Sequence, residues 1–486
     1  MEVWKVKTKL LIIFVLLFAM LLPIVGCQKK ANETPNQGGY HPDTSDGYDY
    51  GSLNCNGEDF TFLQCDEDRW GMKTALAPET TSGELISDTV YNRNLELEAL
   101  YNVNIKCINK DIYETGEFIR NQYFTGEKAV DAAFVIGSSV SMLIGDGVLN
   151  DFSEMPHIQI YEPWWNQRIR EDSQFGGSSA LYYTQSDISV TAFELTWCVI
   201  ANLDMISELG LEEPYTLVKN DQWTTEKMFE LMRAGMKPNS SDGSYDYSED
   251  TDCIVGFTTY DNFTTAGLNG AECFMTTKDE IGNPKFSGEG EKFQNVVEKW
   301  AKAFHTPGLA VEANEEGFHY EKIFAAERAL FAGIEIKATS TFKKQDMNYG
   351  IIPVPKNDAG QQSYYSNVNY LAPVLVIPKT NIEYDKTGRI LDTLAYLSYK
   401  DLLPVYYDQN LSLRAMTNPE SKEMLDIIRD TRCFETSLLY GWTTDFYFEV
   451  KDVFTGYTPN TSVSSTISKY RSIIVQNINN YLSGLQ

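Results

Sequence analysis

Apolar and polar positions alternate through residues 59–65, "DFTFLQC", the period-two pattern of a strand with one buried face. A helical period follows at 87–103: Val90, Leu97 and Tyr101 fall on one face, and Ser87 stands where an N-cap would. Residues 104–109, "NIKCIN", read as a second strand and 111–126 as a second helical region. "VDAAFVIG" (130–137) is a continuous apolar run, the pattern of a strand buried on both faces. This β-α-β-α-β succession predicts an α/β fold, with a parallel or mixed sheet covered by helices.

A second block repeats the logic without repeating the sequence. The apolar run from Leu195 to Ala201 predicts a strand. Residues 222–238 predict a helix with Thr224 as N-cap and Pro238 as its stop. In 291–308, Phe293, Val296, Val297, Trp300 and Phe304 recur at helical spacing and read as core. Strand patterns follow at 329–336, 349–356 and 367–379, and the chain ends in helical text, including 389–407 and 467–482.

The N-terminus has a different pattern. Lys5, Lys7 and Lys9 precede an apolar run from Leu10 to Val25, the order of a secretory signal. That run is somewhat short for a membrane span, which needs about 20 apolar residues. Its exit, "IVGC", resembles a bacterial lipobox, which implies removal of residues 1–26 and lipidation of Cys27. The expected location is the extracytoplasmic face of the cell membrane. Residues 27–53 are rich in Asn, Gly, Pro, Asp and Ser and poor in aliphatics, so they are expected to form a flexible tether.

The formal net charge of −28 argues against a nucleic-acid partner, whose binding depends on Lys and Arg at phosphates. Seven cysteines besides Cys27 cannot all pair within one chain, and none shows a CxxC spacing; Cys55 with Cys65 is one pairing left open. GxSxG, HExxH and P-loop patterns are absent, and His41, His157, His305 and His319 show no metal-like spacing. No cofactor or metal is therefore expected. The Asp-rich stretch 239–252 lacks the spacing of a calcium loop and reads as an ordinary turn.

Residues 199–232, "VIANLDMISELGLEEPYTLVKNDQWTTEKMFELM", carry a resemblance. A strand leads into Asn202 and Asp204, then come Gly210, Leu211, Pro214 and a helix start at Trp223-Thr224. With "VDAAFVIG", "GVLNDFSE" (147–154) and "NYGIIPVPKND" (348–358), this succession resembles the family 1 extracellular solute-binding proteins of ABC transporters, the maltose-binding-protein-like group. The resemblance implies a two-lobed periplasmic-binding-protein-like fold (type II) with the ligand cleft between lobes. It places 55–187 and 328–377 in lobe 1 and 190–326 and 382–486 in lobe 2, with crossings near Tyr183–Glu194, Arg328 and Val376. It implies a monomer without enzymatic activity that captures a small solute, an oligosaccharide above all, and delivers it to membrane permease subunits.

Aromatic residues make up 13% of the chain, and aromatic rings suit the apolar faces of sugars while polar neighbours meet the hydroxyls. The cleft candidates are Asp66, Asp68 and Trp70 after the first strand, and Ser138 and Ser139 at the carboxyl end of the third. Trp164, Trp165, Tyr183, Asp187 and Glu194 lie near the first expected crossing, and Tyr365 and Asn369 before the last lobe-1 strand. Trp442 stands in the C-terminal part, where the family supplies aromatic cleft residues. Two other classes remain open: a lipid-anchored glycoside hydrolase, since carboxylates are plentiful, and a surface receptor or adhesin that does not transport.

Overall fold

The computed structural model describes residues 44–65, 71–248, 251–315, 318–342, 347–411, 419–458 and 461–484. Cys27 and the candidates Asp66, Asp68 and Trp70 lie outside the described residues. Two sheets organise the chain. Their strands are β1 (Glu58–Cys65), β2 (Val103–Lys110), β3 (Ala132–Ile136), β4 (Trp197–Asn202), β5 (Val255–Thr259), β6 (Ala310–Glu312), β7 (Ala329–Glu335), β8 (Tyr349–Ile352) and β9 (Pro373–Val376).

The first sheet has the order β9-β3-β1-β2. β1 runs parallel to β2 and β3, and β9 returns antiparallel to β3. The second has the order β8-β4-β7-β5-β6, with β5, β6 and β7 parallel and β4 antiparallel to β7 and β8. Every residue of β3, β4 and β7 is buried, which is why these strands read as apolar runs; β5 is equally buried, but its Gly256, Thr258 and Thr259 break the apolar pattern.

The main helices are α1 (Leu85–Tyr101), α2 (Thr225–Gly235), α3 (Glu291–Phe304), α4 (Tyr384–Leu397), α5 (Thr444–Phe454) and α6 (Val463–Gly484). Thr224 caps α2 by accepting from the Lys227 N–H. α1 starts earlier than expected, because the Glu84 carboxylate, not Ser87, accepts the free N–H groups of Ile86 and Ser87. The aromatic stripe of α3 is core: Trp300 packs against Phe229, Phe257 and Phe454 at 5.0–5.6 Å between ring centres.

The chain crosses between sheets around residues 184–196, where Thr184 bridges Leu375 of β9 and Thr196 bridges Val368. Within this crossing Thr191–Glu194 makes one helical turn, so β4 begins at Trp197 rather than Leu195. The return crossing runs through Ser366–Asn367, which pairs with Arg432–Cys433, and ends before β9. β7 and β8 therefore belong to the second sheet, where 328–377 was expected wholly in the first, and Arg328 lies directly before the central strand β7, bonded to the carbonyls of Ser248 and Cys253. Two apolar runs of like composition carry no mark of which sheet they join; pairing with β4 and β5 decides it.

Two further expectations are corrected. Residues 46–52 are not a free tether. Tyr48 stacks on Tyr396 of α4 at 4.1 Å and donates to Asp392 at 2.7 Å, while Asp46 pairs with Lys400 at 3.0 Å. The alternating tyrosines supply the apolar surface that the missing aliphatics do not. Cys55 and Cys65 are not joined by a disulfide. They are separated by an eight-residue extended strand, which holds its ends roughly 25 Å apart, far beyond disulfide reach.

Candidate functional site

A cavity of about 550 Å³ lies between residues that follow strands of both sheets. The first sheet contributes Met72 after β1, Tyr113 after β2, and Asn369 and Leu371 ahead of β9. The second contributes Tyr260, Asp261 and Asn262 directly after β5, Asn314 and His319–Glu321 after β6, and Glu335 and Lys337 at the end of β7. Parallel strands bring their carboxyl ends to one edge, so short loops from separate strands converge there without long connections.

Glu335 is the polar centre of the floor. It is 3% exposed, accepts from Asn369 Nδ2 at 2.8 Å and pairs with Lys337 Nζ at 2.8 Å. The Glu335–Asn369 bond joins the end of β7 to the return crossing. Lys337 extends over Gly71, where an added Cβ would stand 2.7 Å from the lysine chain; with φ at +66°, that position suits glycine on both counts.

Tyr260 and Tyr320 stand 5.2 Å apart between ring centres, with His319 stacked on Tyr320 at 4.5 Å and Trp197 behind Tyr260 at 4.9 Å. Burial, then the neighbouring Glu335, holds the Tyr260 hydroxyl well above the usual phenol range. Burial does the same to Tyr320, followed by Glu321 and Glu335. Both hydroxyls thus stay protonated, with a donor each. On one flank Lys451 pairs with Asp261 at 2.5 Å and Tyr447 donates to Asn262 at 3.3 Å; Phe448 beside them is 43% exposed. The whole is a set of aromatic faces, carboxamides and carboxylates, suited to holding a polyhydroxylated molecule by stacking and hydrogen bonds.

Of the residues singled out from sequence, Asn369 lines this cavity. The others among the described residues sit elsewhere. Trp164 and Trp165 donate their indole N–H groups to one buried carboxylate, Asp392, at 3.2 and 2.8 Å. Tyr183 is buried against Tyr440, and Trp442 stacks on Tyr440 at 4.7 Å. Asp187, itself buried, pairs with the partly buried Arg429 at 2.7 Å. Tyr365 donates to Glu272 at 3.3 Å with Arg168 over its ring. Glu194 ends the one-turn helix, partly buried. Ser138 is exposed, and Ser139 packs against Gly116. Tyr113, Tyr260, His319, Tyr320, Glu335 and Lys337 were missed. The carboxyl-end rule that suggested Ser138 points equally to Tyr260–Asn262 and Glu335–Lys337 when applied to β5 and β7. Among the described residues no His, Cys, Asp or Glu cluster could hold a metal, and no helix is long and apolar enough to cross a membrane.

No protein-family model matches the chain, and no curated protein matches it. Solved structures do. The ABC substrate-binding protein Lmo0181 from Listeria monocytogenes, in complex with cycloalternan, is similar with a TM-score of 0.55 at 12% identity, covering 88% of this chain and 99% of its own. The maltose-binding protein MalE from the same organism, in complex with maltose, gives 0.54 at 13%, covering 87% and 98%. A cyclo/maltodextrin-binding protein complexed with maltotetraose gives 0.56 at 11%, covering 86% and 97%. Two mixed sheets flanked by helices, joined by crossing segments and enclosing a cavity between them, give this chain the two-lobed fold of the ABC-transporter solute-binding proteins.

Proposed function

We propose that this chain is the solute-binding component of an ABC importer and captures an oligosaccharide in the cavity between its two sheets. The observation that carries the reading is the convergence of Tyr260, Tyr320, Glu335 and Lys337 from one sheet with Tyr113 and Asn369 from the other around one cavity. A ligand that contacts both sides favours the closed arrangement over an open one by its extra contacts. The solved structures that share the fold are described as complexes with cycloalternan, maltose and maltotetraose, which supports the sugar assignment. Lipidation of Cys27 would keep the protein beside its permease, and one acyl chain alone would anchor it only marginally.

Calorimetry against a panel of neutral oligosaccharides tests the reading. At least one should bind, and Tyr260→Ala should weaken it by about tenfold or more, since a stacked aromatic anchor is worth about 2 kcal/mol. A panel without a binder, or turnover of a glycan at enzyme-like rates, would defeat the assignment.

A further inference from the structure

We propose that a second cavity, of about 340 Å³, is a binding site for a single neutral sugar ring. It lies where the loop before the first crossing, the turn of the hairpin Thr276–Lys278/Pro284–Phe286, and the end of α6 meet. It shares no lining residue with the cleft.

The lining sets the ligand class. Phe175, Tyr182 and Tyr481 supply aromatic surface, and Ser178 and Asn283 supply neutral polar groups. Among the described residues no charged side chain lines the cavity, and Lys278, the cation over the Phe175 ring at 5.4 Å, is not among its lining residues, so the wall itself offers an ionic ligand no direct partner. Ligand pockets start at roughly 300 Å³, so this volume fits one ring and not an extended chain. An aromatic wall with neutral hydroxyl and amide groups matches a pyranose, with apolar C–H faces and hydroxyls at its rim.

A glycine at 176 lets the loop approach the hairpin turn closely. Gly176 and Gly177 both hold positive φ, at +60° and +77°, and a Cβ at Gly176 would stand 2.9 Å from Asn283 Oδ1. The Gly176 N–H donates to the Gly282 carbonyl at 3.0 Å, which joins the loop to the hairpin turn. These two walls come from chain stretches that flank different sheets. An occupant touching both therefore reinforces the same junction. Trp442 lies 5.3 Å from Tyr481 and 5.7 Å from Phe175, so occupancy has an optical reporter.

The test is titration of the full chain with D-glucose, D-galactose, D-mannose and N-acetylglucosamine into the millimolar range, read by tryptophan fluorescence and saturation-transfer NMR. At least one sugar should give a saturable response. Tyr481→Ala should weaken it by about tenfold, and Tyr260→Ala, in the cleft, should leave it unchanged. Asn283→Ala serves as a second variant should Tyr481→Ala fail to fold, with thermal melting as the control. Absence of any saturable response, full binding by the variants at this cavity, or loss of the response in Tyr260→Ala would overturn the proposal. The last outcome would assign the sugar to the cleft alone. The proposal stands apart from the cleft reading: a failed oligosaccharide panel leaves this titration informative.

Discussion

Glu435 makes the sharpest energetic prediction. The side chain is 1% exposed; it accepts from the Met275 N–H at 2.9 Å and from the Ser437 hydroxyl at 2.6 Å, which Thr443 in turn bonds at 2.6 Å. Burial pushes its carboxyl up from 4.5 to about 7, against the opposing pull of these donors. A carboxyl raised on folding binds protons more tightly in the native state. Its burial therefore costs nothing below pH 4.5, costs progressively more from 4.5 to 7, and costs the full amount above 7. The rise from 4.5 to about 7 corresponds to about 3 kcal/mol. Glu435→Gln keeps an acceptor for Met275 and removes the charge, though its amide forces Ser437 to reorient, which offsets about 1 kcal/mol. The variant should thus be less stable than wild type or equal at pH 4.5, and more stable by about 2 kcal/mol at pH 8. Urea unfolding followed by fluorescence at about pH 4.5, 6, 7 and 8 measures this, and the difference between the two proteins cancels the other titrating groups. A difference that stayed flat across that pH range would refute the assignment of a raised carboxyl to Glu435.

Other consequences follow from the same geometry. Asp392→Ala removes the acceptor shared by Trp164, Trp165 and Tyr48, and at about 1–3 kcal/mol per orphaned buried donor it should cost at least about 3 kcal/mol in urea unfolding. The same change should expose residues 46–52 to limited proteolysis, because Tyr48 loses its hydrogen bond. Glu335→Gln leaves Lys337 without its 2.8 Å counter-ion; oligosaccharide affinity should fall in calorimetry by about tenfold while the melting temperature changes little. On the proposed lipidation of Cys27, Cys27→Ser should move the protein from the membrane fraction to the soluble fraction on cell fractionation, and an unchanged distribution would defeat that part of the proposal.

Much of the fold was legible because burial on both faces writes itself as an unbroken apolar run. β3, β4 and β7 were readable for that reason, as was the α2 cap at Thr224. The site was less legible. An indole pair in polar text, Trp164–Trp165, looks the same whether it faces a ligand or a buried carboxylate, and Asp392 lies 228 and 227 residues away in the chain. Tyr260 and Glu335 gave no signal of their own beyond standing at strand ends.

The sequence by itself determined the local structure: the alternation of α and β elements, the helix stop and start signals, and the apolar runs that must be buried, because each is set by residues within a few positions of one another. Only the tertiary structure decided which sheet β7 and β8 join, that Trp164, Trp165, Tyr183 and Trp442 pack into the interior, and which strand ends share a cavity. Those outcomes rest on contacts between residues such as Glu335 and Asn369, or Tyr48 and Asp392, whose partners are chosen by packing in space and leave no mark in the neighbouring sequence.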